Sequence, residues 1–336
     1  MALSNISLQN FRSYVKSEFI FDKVGVIVGD NGAGKSNILE AIYLLATGKS
    51  FRADRENEML SYDKEFFRVM GEIGGIGEIG IEMIDNRKRF LVNGVARRQI
   101  DFVGNLKAVL FCPQDMELVT GSPSIRRRYL DFVICQTDRE YRRCLISYEK
   151  GLRQRNKLLN LIREGLAQRS QLFFWDRLII KDGSYLTQKR EEYLNDENLY
   201  YDKSIISEHR LQQYEVEEVA AATTLVGPHR DDFVINLNGK DISKYGSRGQ
   251  QRMAVLALKR KEIKRLSDEG TKESPILLLD DIFSELDHTH RDDVMNLVND
   301  YPGQVIMTTC QLPHIYRNIN AKIICISPNT PFQPPF

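Results

Sequence analysis

The apolar positions of this chain fall into short runs and periodic segments that predict a mixture of strands and helices. The first residues, Ile6 to Phe11, alternate polar and apolar side chains, which is typical of a half-buried strand. Continuous apolar runs indicate buried strands at residues 24–28, 276–279, 305–309 and 323–326. Apolar residues at spacings of three and four predict helices at residues 36–46 and 250–267.

Two Asn-Gly pairs, Asn93-Gly94 and Asn238-Gly239, lie between alternating segments and predict tight hairpins. Residues 124 to about 218 instead carry Leu, Tyr and Arg at helical spacing, with little Gly or Pro. The pattern therefore predicts an α/β sheet domain, residues 1–120 and 221–336, interrupted by a mainly helical lobe, residues 121–220. No heptad pattern is sustained, so we expect no long coiled coil.

The composition, 42% hydrophobic and 28% charged residues, is that of a globular protein. No apolar run approaches the roughly 18 residues that a membrane-spanning helix needs, and the N-terminus has no apolar signal region. The five cysteines include no C-x-x-C pair and indicate reduced thiols, so we expect a cytoplasmic protein.

Charge is balanced overall, with 47 Lys/Arg against 46 Asp/Glu, but it is unevenly distributed. Residues 121–170 hold 12 basic and 5 acidic side chains, whereas residues 191–218 hold 2 basic and 9 acidic ones. A local excess of basic residues is suited to meeting phosphates.

A glycine-rich turn between a predicted strand and a predicted helix matches the phosphate-loop pattern G-x-x-x-x-G-K-[ST]. In such a loop the backbone N–H groups cradle phosphate oxygens, the lysine reaches the β- and γ-phosphates, and the hydroxyl binds Mg²⁺. The positive end of the following helix adds to the attraction. The matching residues are Gly29, Asp30, Asn31, Gly32, Ala33, Gly34, Lys35 and Ser36.

The apolar run at residues 276–279 ends in two carboxylates, Asp280 and Asp281. Asp280 is suited to a Mg²⁺-linked carboxylate, and Asp281 to polarising an attacking water. Alone the pair is a weak signal, but together with the phosphate loop it indicates a nucleoside triphosphate and Mg²⁺.

Further motifs narrow the class of phosphate-loop protein. Ser247-Arg248-Gly249-Gln250 precedes a predicted helix, where Ser247 and the Gly249 N–H would cap the helix and face an anion. This segment resembles the signature motif of ABC-type ATPases, whose anion is the γ-phosphate held by the other subunit. Ser284-Glu285-Leu286-Asp287 resembles the D-loop of that family, and Gln114 its Q-loop glutamine, which would contact Mg²⁺ and the water.

The combined motifs are similar to those of the RecF family, bacterial recombination-repair ATPases related to SMC heads. The resemblance covers roughly residues 3–326 and rests on Asn10-Phe11-Arg12-Ser13-Tyr14, Gly227-Pro228-His229-Arg230-Asp231-Asp232, residues 247–252 and residues 279–287. It implies an ABC-type, SMC-like head with an inserted helical lobe, and ATP-dependent dimerisation on duplex DNA with slow, DNA-stimulated hydrolysis. It also implies RecR with RecO as partners and a role in loading RecA at single-strand gaps, in repair and SOS induction.

Two positions depart from the ABC pattern. The residue after the Mg²⁺ carboxylate is usually Glu, but here it is Asp281, as in RecF-type sequences. Because the shorter side chain places the base less well, we expect slow turnover. The switch histidine is not evident: Thr308-Thr309-Cys310 occupies its expected place, and His314 is nearby.

Other candidates follow from the resemblance and from charge. Arg12, Asn37 and Gln250 are expected to contact nucleotide, and Arg52 lies where SMC heads carry a DNA-coupling arginine. Sequence-independent DNA contact is expected along the basic helical stretch at Arg126, Arg127, Arg128, Arg142 and Arg143, although solvated faces with intrahelical pairs are the simpler reading. For His229 a hydrogen-bonded corner is favoured over catalysis. Two other functions stay open: a transporter-type ABC subunit, and a nucleotide-switched scaffold without DNA function.

Overall fold

The structure is a computed structural model that describes residues 2–267, 273–282, 288–310 and 321–327. Its strands are β1 (Leu3–Phe11), β2 (Tyr14–Ile20), β3 (Val24–Val28), β4 (Phe66–Ile73), β5 (Gly77–Ile84), β6 (Arg87–Val92), β7 (Val95–Arg97), β8 (Ala108–Phe111), β9 (Leu199–Asp202), β10 (Asp232–Leu237), β11 (Lys240–Asp241), β12 (Ile276–Asp280), β13 (Val305–Thr309) and β14 (Lys322–Cys325).

The α-helices are α1 (Lys35–Thr47), α2 (Gln99–Phe102), α3 (Glu117–Thr120), α4 (Pro123–Thr137), α5 (Arg139–Arg163), α6 (Phe173–Leu194), α7 (Glu208–Gln213), α8 (Glu215–Ala221), α9 (Ile242–Tyr245), α10 (Arg248–Leu266) and α11 (His288–Asp300). Short 3-10 helices occur at Glu56–Met59, Pro113–Met116, Arg169–Leu172 and Pro228–Arg230. Among the described residues no helix is both long and apolar enough to cross a membrane.

The chain divides into two units. One comprises Met1–Asp115 and Leu258–Phe336, and the other Met116–Ala257, so helix α10 contributes to both. The first unit contains two sheets, and the second is mainly helical.

A parallel five-stranded sheet in the first unit has the order β14-β3-β13-β12-β8. Its β12 and β13 are completely buried, which explains their uninterrupted apolar sequences. Asp280 pairs in register with Thr308, and Thr309 with Val28, so the carboxyl ends of three neighbouring strands lie side by side. Ligands of open α/β sheets bind at this edge.

The second sheet of this unit is antiparallel, with the order β2-β1-β4-β5-β6-β7. The predicted hairpin at Asn93-Gly94 is confirmed: both residues have positive φ, and Val92 pairs with Val95. Helix α1 follows β3, as the sequence pattern predicted, and is buried along nearly its whole length.

The second unit contains the long helices α4, α5 and α6 and a small sheet of order β11-β10-β9. Helix α5 begins at an N-cap, Asp138, whose carboxylate accepts a hydrogen bond from the Tyr141 N–H. The buried Arg190 of α6 contacts Asp131 of α4 at 2.9 Å and Asp231 at 3.2 Å. A charged cluster therefore lies inside this unit.

The structure places residues 221–257 with the helical unit, whereas the sequence analysis assigned them to the sheet domain. The reason is pairing between distant segments: β10 pairs with β9, and Asp232 binds Arg126. Strand β9 is itself a correction, because it interrupts the stretch expected to be helical. The second predicted hairpin, Asn238-Gly239, is confirmed between β10 and β11.

Candidate nucleotide site

The phosphate loop connects the end of β3 to the start of α1. Gly32 has φ 81° and Gly34 has φ 100°, backbone conformations that disfavour other residues. A Cβ at Gly34 would lie 2.8 Å from the Tyr14 hydroxyl, so a side chain could not fit there. That hydroxyl donates to the Gly34 carbonyl at 3.2 Å, and burial raises the pKa of Tyr14, which keeps it a neutral donor. Strand β2 thus supports the loop from behind.

Lys35 folds back over this loop. Its Nζ donates to the carbonyl oxygens of Gly29 at 2.7 Å and Asp30 at 2.9 Å. The ammonium group is thereby held across the mouth of the loop, where it is suited to a phosphate oxygen. Asn37, in the first turn of α1, donates from Nδ2 to Ser13 Oγ at 3.0 Å and accepts from Arg52 at 2.9 Å.

Two of the three predicted metal-binding groups, Ser36 and Asp280, lie together. Ser36 Oγ donates to Asp280 Oδ1 at 2.8 Å, and the same oxygen accepts from Thr308 Oγ1 at 2.9 Å. No group of three or more His, Cys, Asp or Glu side chains is arranged for a metal in the described ranges. An oxygen pair of this kind fits Mg²⁺, which proteins bind through one or two carboxylates together with substrate phosphates.

Asp281 follows directly and has a positive φ of 48°, an uncommon value for a residue with a side chain. Its N–H donates to Thr308 Oγ1 at 2.9 Å. Thr308 therefore contacts both carboxylate residues of the site. The sequence did not give Thr308 a role, although its place at the end of a predicted buried strand, like that of Asp280, was a usable signal.

Cys310 is a second residue whose contacts the sequence did not foretell. Its Sγ lies 2.8 Å from Asn31 Oδ1, 3.4 Å from Lys35 Nζ and 3.8 Å from Asp281 Oδ2. The thiol thus stands at the predicted place of the switch histidine, between the phosphate loop and Asp281. His314 and Ser284–Asp287, the D-loop resemblance, lie outside the described residues.

Arg12 and Arg52 both approach a buried carboxylate that the sequence analysis did not single out, Glu40 of helix α1. Arg12 binds Glu40 through Nε at 2.8 Å and Nη2 at 2.6 Å, and Ser50 Oγ also donates to it. Arg52 Nη1 is 3.9 Å from it. The Arg12 guanidinium is thus oriented towards Glu40, and its contact with nucleotide stays a prediction.

The signature segment forms a reciprocal cap at the start of α10. The Ser247 Oγ accepts from the Gln250 N–H at 3.3 Å, and the Gln250 Oε1 accepts from the Ser247 N–H at 2.8 Å. A Cβ at Gly249 would meet only Ser247 Oγ, at 4.0 Å, so the space beside Gly249 is open. The predicted cap by Ser247 is confirmed. Gln114 lies in the Pro113–Met116 helix with its side chain exposed.

Most of the arginines predicted to contact DNA have partners inside their own unit. Arg126 is 9% exposed and binds Asp232 in a bidentate pair at 2.6 and 2.8 Å, which argues against Arg126 as a DNA contact and corrects the sequence interpretation. The other four arginines of the helical stretch also have partners in this unit: Arg127 contacts the Asp231 carbonyl, Arg128 the Phe132 ring, Arg142 the Cys135 carbonyl, and Arg143 Glu140.

His229 lies in the hydrogen-bonded corner favoured by its sequence. Its Nε2 donates to the Thr224 carbonyl at 3.0 Å, so its Nδ1 accepts from the Tyr148 hydroxyl at 2.7 Å. Burial lowers the pKa of His229 to about 4. The ring is therefore neutral at physiological pH and serves the fold.

Comparison with known proteins agrees with this geometry. A family model described as RecF/RecN/SMC N terminal domain matches residues 2–327. A protein of Oceanobacillus iheyensis, named DNA replication and repair protein RecF, is 32% identical over 92% of this chain and 94% of its own length. A protein of the same name from Roseiflexus castenholzii is 35% identical over 92% and 93%.

Among solved structures, that of the recombination mediator protein RecF-ATP in the RecFOR pathway superposes on this chain with a TM-score of 0.83. It is 32% identical and covers 93% of this chain and 92% of its own. The RecF-ATPrS structure gives a TM-score of 0.82 at the same identity and covers 93% of both chains. The predicted fold class and the predicted family resemblance are both confirmed.

Proposed function

Because the chain belongs to the RecF/RecN/SMC family, we propose that it is an ATP-dependent DNA-binding protein of recombinational repair. In this proposal ATP and Mg²⁺ drive head-to-tail dimerisation on duplex DNA at single-strand gaps, and slow hydrolysis releases the dimer. The observation that carries the proposal is the 2.8 Å contact between Ser36 and Asp280, directly beside Lys35 and the phosphate loop.

The phosphate loop binds the nucleotide through both backbone and side-chain groups. The backbone N–H groups between Gly29 and Ser36 bind phosphate oxygens, and Lys35 exchanges its carbonyl contacts for the β- and γ-phosphates. Ser36, Asp280 and Gln114 would hold Mg²⁺, which would neutralise charge on the transferred phosphoryl group. Asn31 and Ala33 complete the cradle.

Hydrolysis is assigned to Asp281, with Gln114 helping to orient the water. Thr308 fixes the backbone of Asp281, but the short side chain limits how well the carboxylate reaches the water. We therefore expect single-turnover hydrolysis slower than about 1 s⁻¹, the low end of ordinary enzyme rates. DNA is expected to stimulate it.

The signature segment is assigned to the opposite ATP of the dimer. Ser247 caps helix α10, and the open space at Gly249 lets a phosphate approach the positive end of that helix. A second protomer thus supplies Ser247, Gly249 and Asp287 to each site. ATP held between two protomers stabilises the dimer, and its hydrolysis weakens it.

A stripe on helix α5 is the best-supported DNA surface. Lys150, Arg153 and Lys157 lie three and four residues apart on one face, and all three are exposed. They replace Arg126 as the leading candidates, because a buried, paired arginine does not reach DNA. Each phosphate contact contributes about 0.9 to the magnitude of the slope of log affinity against log salt concentration. Replacing Lys150, Arg153 and Lys157 with glutamine should therefore reduce the magnitude of that slope by about 3.

The family resemblance also implies partners and a setting. We expect RecR with RecO to bind the ATP-bound dimer, and the assembly to help load RecA in the cytoplasm during repair and SOS induction. These expectations are tested by pull-down of RecR in the presence of ATP and duplex DNA.

The deciding experiment is mass by light scattering, with and without ATP–Mg²⁺ and short duplex DNA. We expect wild type to become a dimer with ATP, the Asp281→Asn dimer to persist, and Lys35→Ala and Ser247→Arg to stay monomeric. Ser247→Arg is the matched control, because it should still bind ATP. A mass that ignores ATP refutes the composite site.

The same experiment separates the two rival functions. A nucleotide-switched scaffold keeps its DNA-dependent assembly in Lys35→Ala. A transporter-type ABC subunit dimerises with ATP but gains nothing from DNA.

A further inference from the structure

A buried lysine lies behind the turn that carries Gln114. Lys259 of helix α10 is 4% exposed, and its Nζ is 3.0 Å from Asp115 Oδ1 and 3.4 Å from Glu262 Oε2. The same ammonium lies 6.0 Å from the centre of the Phe111 ring, at the end of β8. All of these residues belong to the first unit, together with the phosphate loop.

Asp115 connects this lysine to the turn. Its Oδ2 accepts from the Cys112 N–H at 2.8 Å, while its own N–H donates to the Cys112 carbonyl at 3.0 Å. Side chain and backbone of Asp115 therefore close a turn from Cys112 to Asp115, and Gln114 projects from it into solvent. One Asp115 carboxylate oxygen, Oδ2, holds the turn, and the other, Oδ1, binds Lys259. The Lys259 ammonium group therefore orients the carboxylate, and the carboxylate orients the turn.

The charges around Lys259 favour its ionised form. Burial lowers the pKa of Lys259, but Asp115 and Glu262 outweigh burial, so the net pKa lies above the ordinary value. Burial also raises the pKa of Glu262 to about 7, against the opposing effect of Lys259. Tyr43 and Cys112, the other titratable groups nearby, are kept neutral by burial, which raises the pKa of each. Lys259 thus stays a cation beside Asp115.

A buried ion pair is weak evidence for stability alone, since well-packed apolar residues stabilise a core equally well. Its location is more informative. Supporting groups that orient a metal ligand are typically worth about 10- to 100-fold in metal affinity or activity when removed. Lys259 and Asp115 support the turn that carries Gln114, the proposed ligand of Mg²⁺ and the water, so their effect on Gln114 passes through the backbone of that turn.

We propose that Lys259 is a positioning residue for ATP hydrolysis, acting through Asp115 to hold Gln114 in place. The inference rests on the proposed function of Gln114. It predicts that Lys259 affects Mg²⁺ use and hydrolysis, but not the capture of ATP by the phosphate loop.

The test uses Lys259→Met, Lys259→Arg and a matched control, Lys264→Met, an exposed lysine on the same helix. Hydrogen exchange of the peptide spanning residues 108–118, measured on nucleotide-free protein, reports the turn directly. We expect faster exchange there in Lys259→Met, and wild-type exchange in the control. Unchanged exchange in Lys259→Met overturns the proposed link.

Kinetics then supply a double-mutant cycle with Gln114→Ala. We expect Lys259→Met to lower kcat or the apparent Mg²⁺ affinity by about 10- to 100-fold, with ATP affinity in EDTA unchanged and partial recovery in Lys259→Arg. The double variant should be no slower than Gln114→Ala alone. Additive losses mean that Lys259 does not act through Gln114.

Two further outcomes are decisive. If Lys259→Met does not fold, Asp115→Asn enters the same cycle, because its amide oxygen can still accept from Cys112 while the charge pair is lost. If the wild type dimerises and hydrolyses ATP, but the losses in Lys259→Met and Gln114→Ala are additive, only the role of Lys259 is refuted. A wild type that neither binds nor hydrolyses ATP refutes the proposed function, and this inference with it.

Discussion

The Arg12–Glu40 pair allows a test between two roles for Arg12, nucleotide contact and support of helix α1. Glu40 is fully buried in the helix that begins with Lys35, and Arg12 is its bidentate partner. Arg12→Ala would leave the Glu40 carboxylate in the core with the Ser50 hydroxyl as a neutral donor and Arg52 at 3.9 Å.

The size of the effect follows from burial. Removing one partner of a buried ion pair costs about 3–5 kcal/mol, because the other charge stays desolvated. The Arg12 side chain is 20% exposed, so water can enter after truncation and the lower figure, about 3 kcal/mol, applies. The double variant Arg12→Ala/Glu40→Gln removes the unpaired charge of Glu40. Its free energy of unfolding should therefore be about 2 kcal/mol higher than that of Arg12→Ala.

The assay is urea unfolding of wild type, both single variants and the double variant, followed by ATP titration under conditions where each is folded. If Arg12 supports the helix, the four free energies will be non-additive, and ATP affinity will change by less than about threefold, or 0.7 kcal/mol. If Arg12 binds phosphate, ATP affinity will fall tenfold or more in both Arg12 variants while stability barely changes. That outcome would refute the structural role given to Arg12.

Three other predictions follow from the site and its surroundings. Asp280→Asn should reduce the gain in ATP affinity on adding Mg²⁺ by at least about tenfold while leaving affinity in EDTA unchanged; an unaltered Mg²⁺ response in titrations would contradict the metal assignment. Because the folded pKa of His229, about 4, lies below its unfolded value of 6.5, stability is lost as pH falls from 6.5 towards 4. Wild type should lose about 2 kcal/mol more than His229→Gln between pH 7 and pH 5 in urea unfolding, and equal losses would exclude the linkage. ATP at ten times its Kd should slow alkylation of Cys310 about tenfold by mass action. Peptide mass spectrometry measures this with Cys135 as the internal reference, and an alkylation rate that ATP does not change would place the nucleotide elsewhere.

Local patterns predicted the elements that depend on neighbours in sequence. The apolar runs predicted β3, β12 and β13 because strands buried on both faces need apolar residues throughout. The run at residues 323–326 also predicted β14, but its expected burial is wrong, because β14 is an edge strand and Ile323 is exposed. The Asn-Gly pairs predicted their hairpins because both residues accept positive φ. The phosphate loop, Asp280 and the cap at Ser247 were likewise readable, since each depends on a short sequence in a defined local context.

Contacts between distant segments could not be read in this way. Glu40 interrupts an apolar helix, which signals a buried partner, but the pattern does not say that the partner is Arg12, 28 residues away. The pairing of β10 with β9 moved residues 221–257 to the helical unit, and it depends on a short aromatic strand in a stretch of helical pattern. The roles of Cys310 and Lys259 likewise depend on contacts with side chains from other elements, which the local sequence does not predict.

The charge pattern shows most clearly why local and non-local information differ. A basic stretch and an acidic stretch were read separately, and the basic one was read as a phosphate-binding surface. In the structure the two are partly each other's partners: Arg155 is 2.7 Å from Glu218, and Arg169 also pairs with Glu215. A buried arginine needs an anion within the fold, so part of the positive excess serves stability and is not free for DNA. Only basic residues that the fold leaves exposed, such as the stripe on α5, are available for the salt-sensitive DNA binding that we propose.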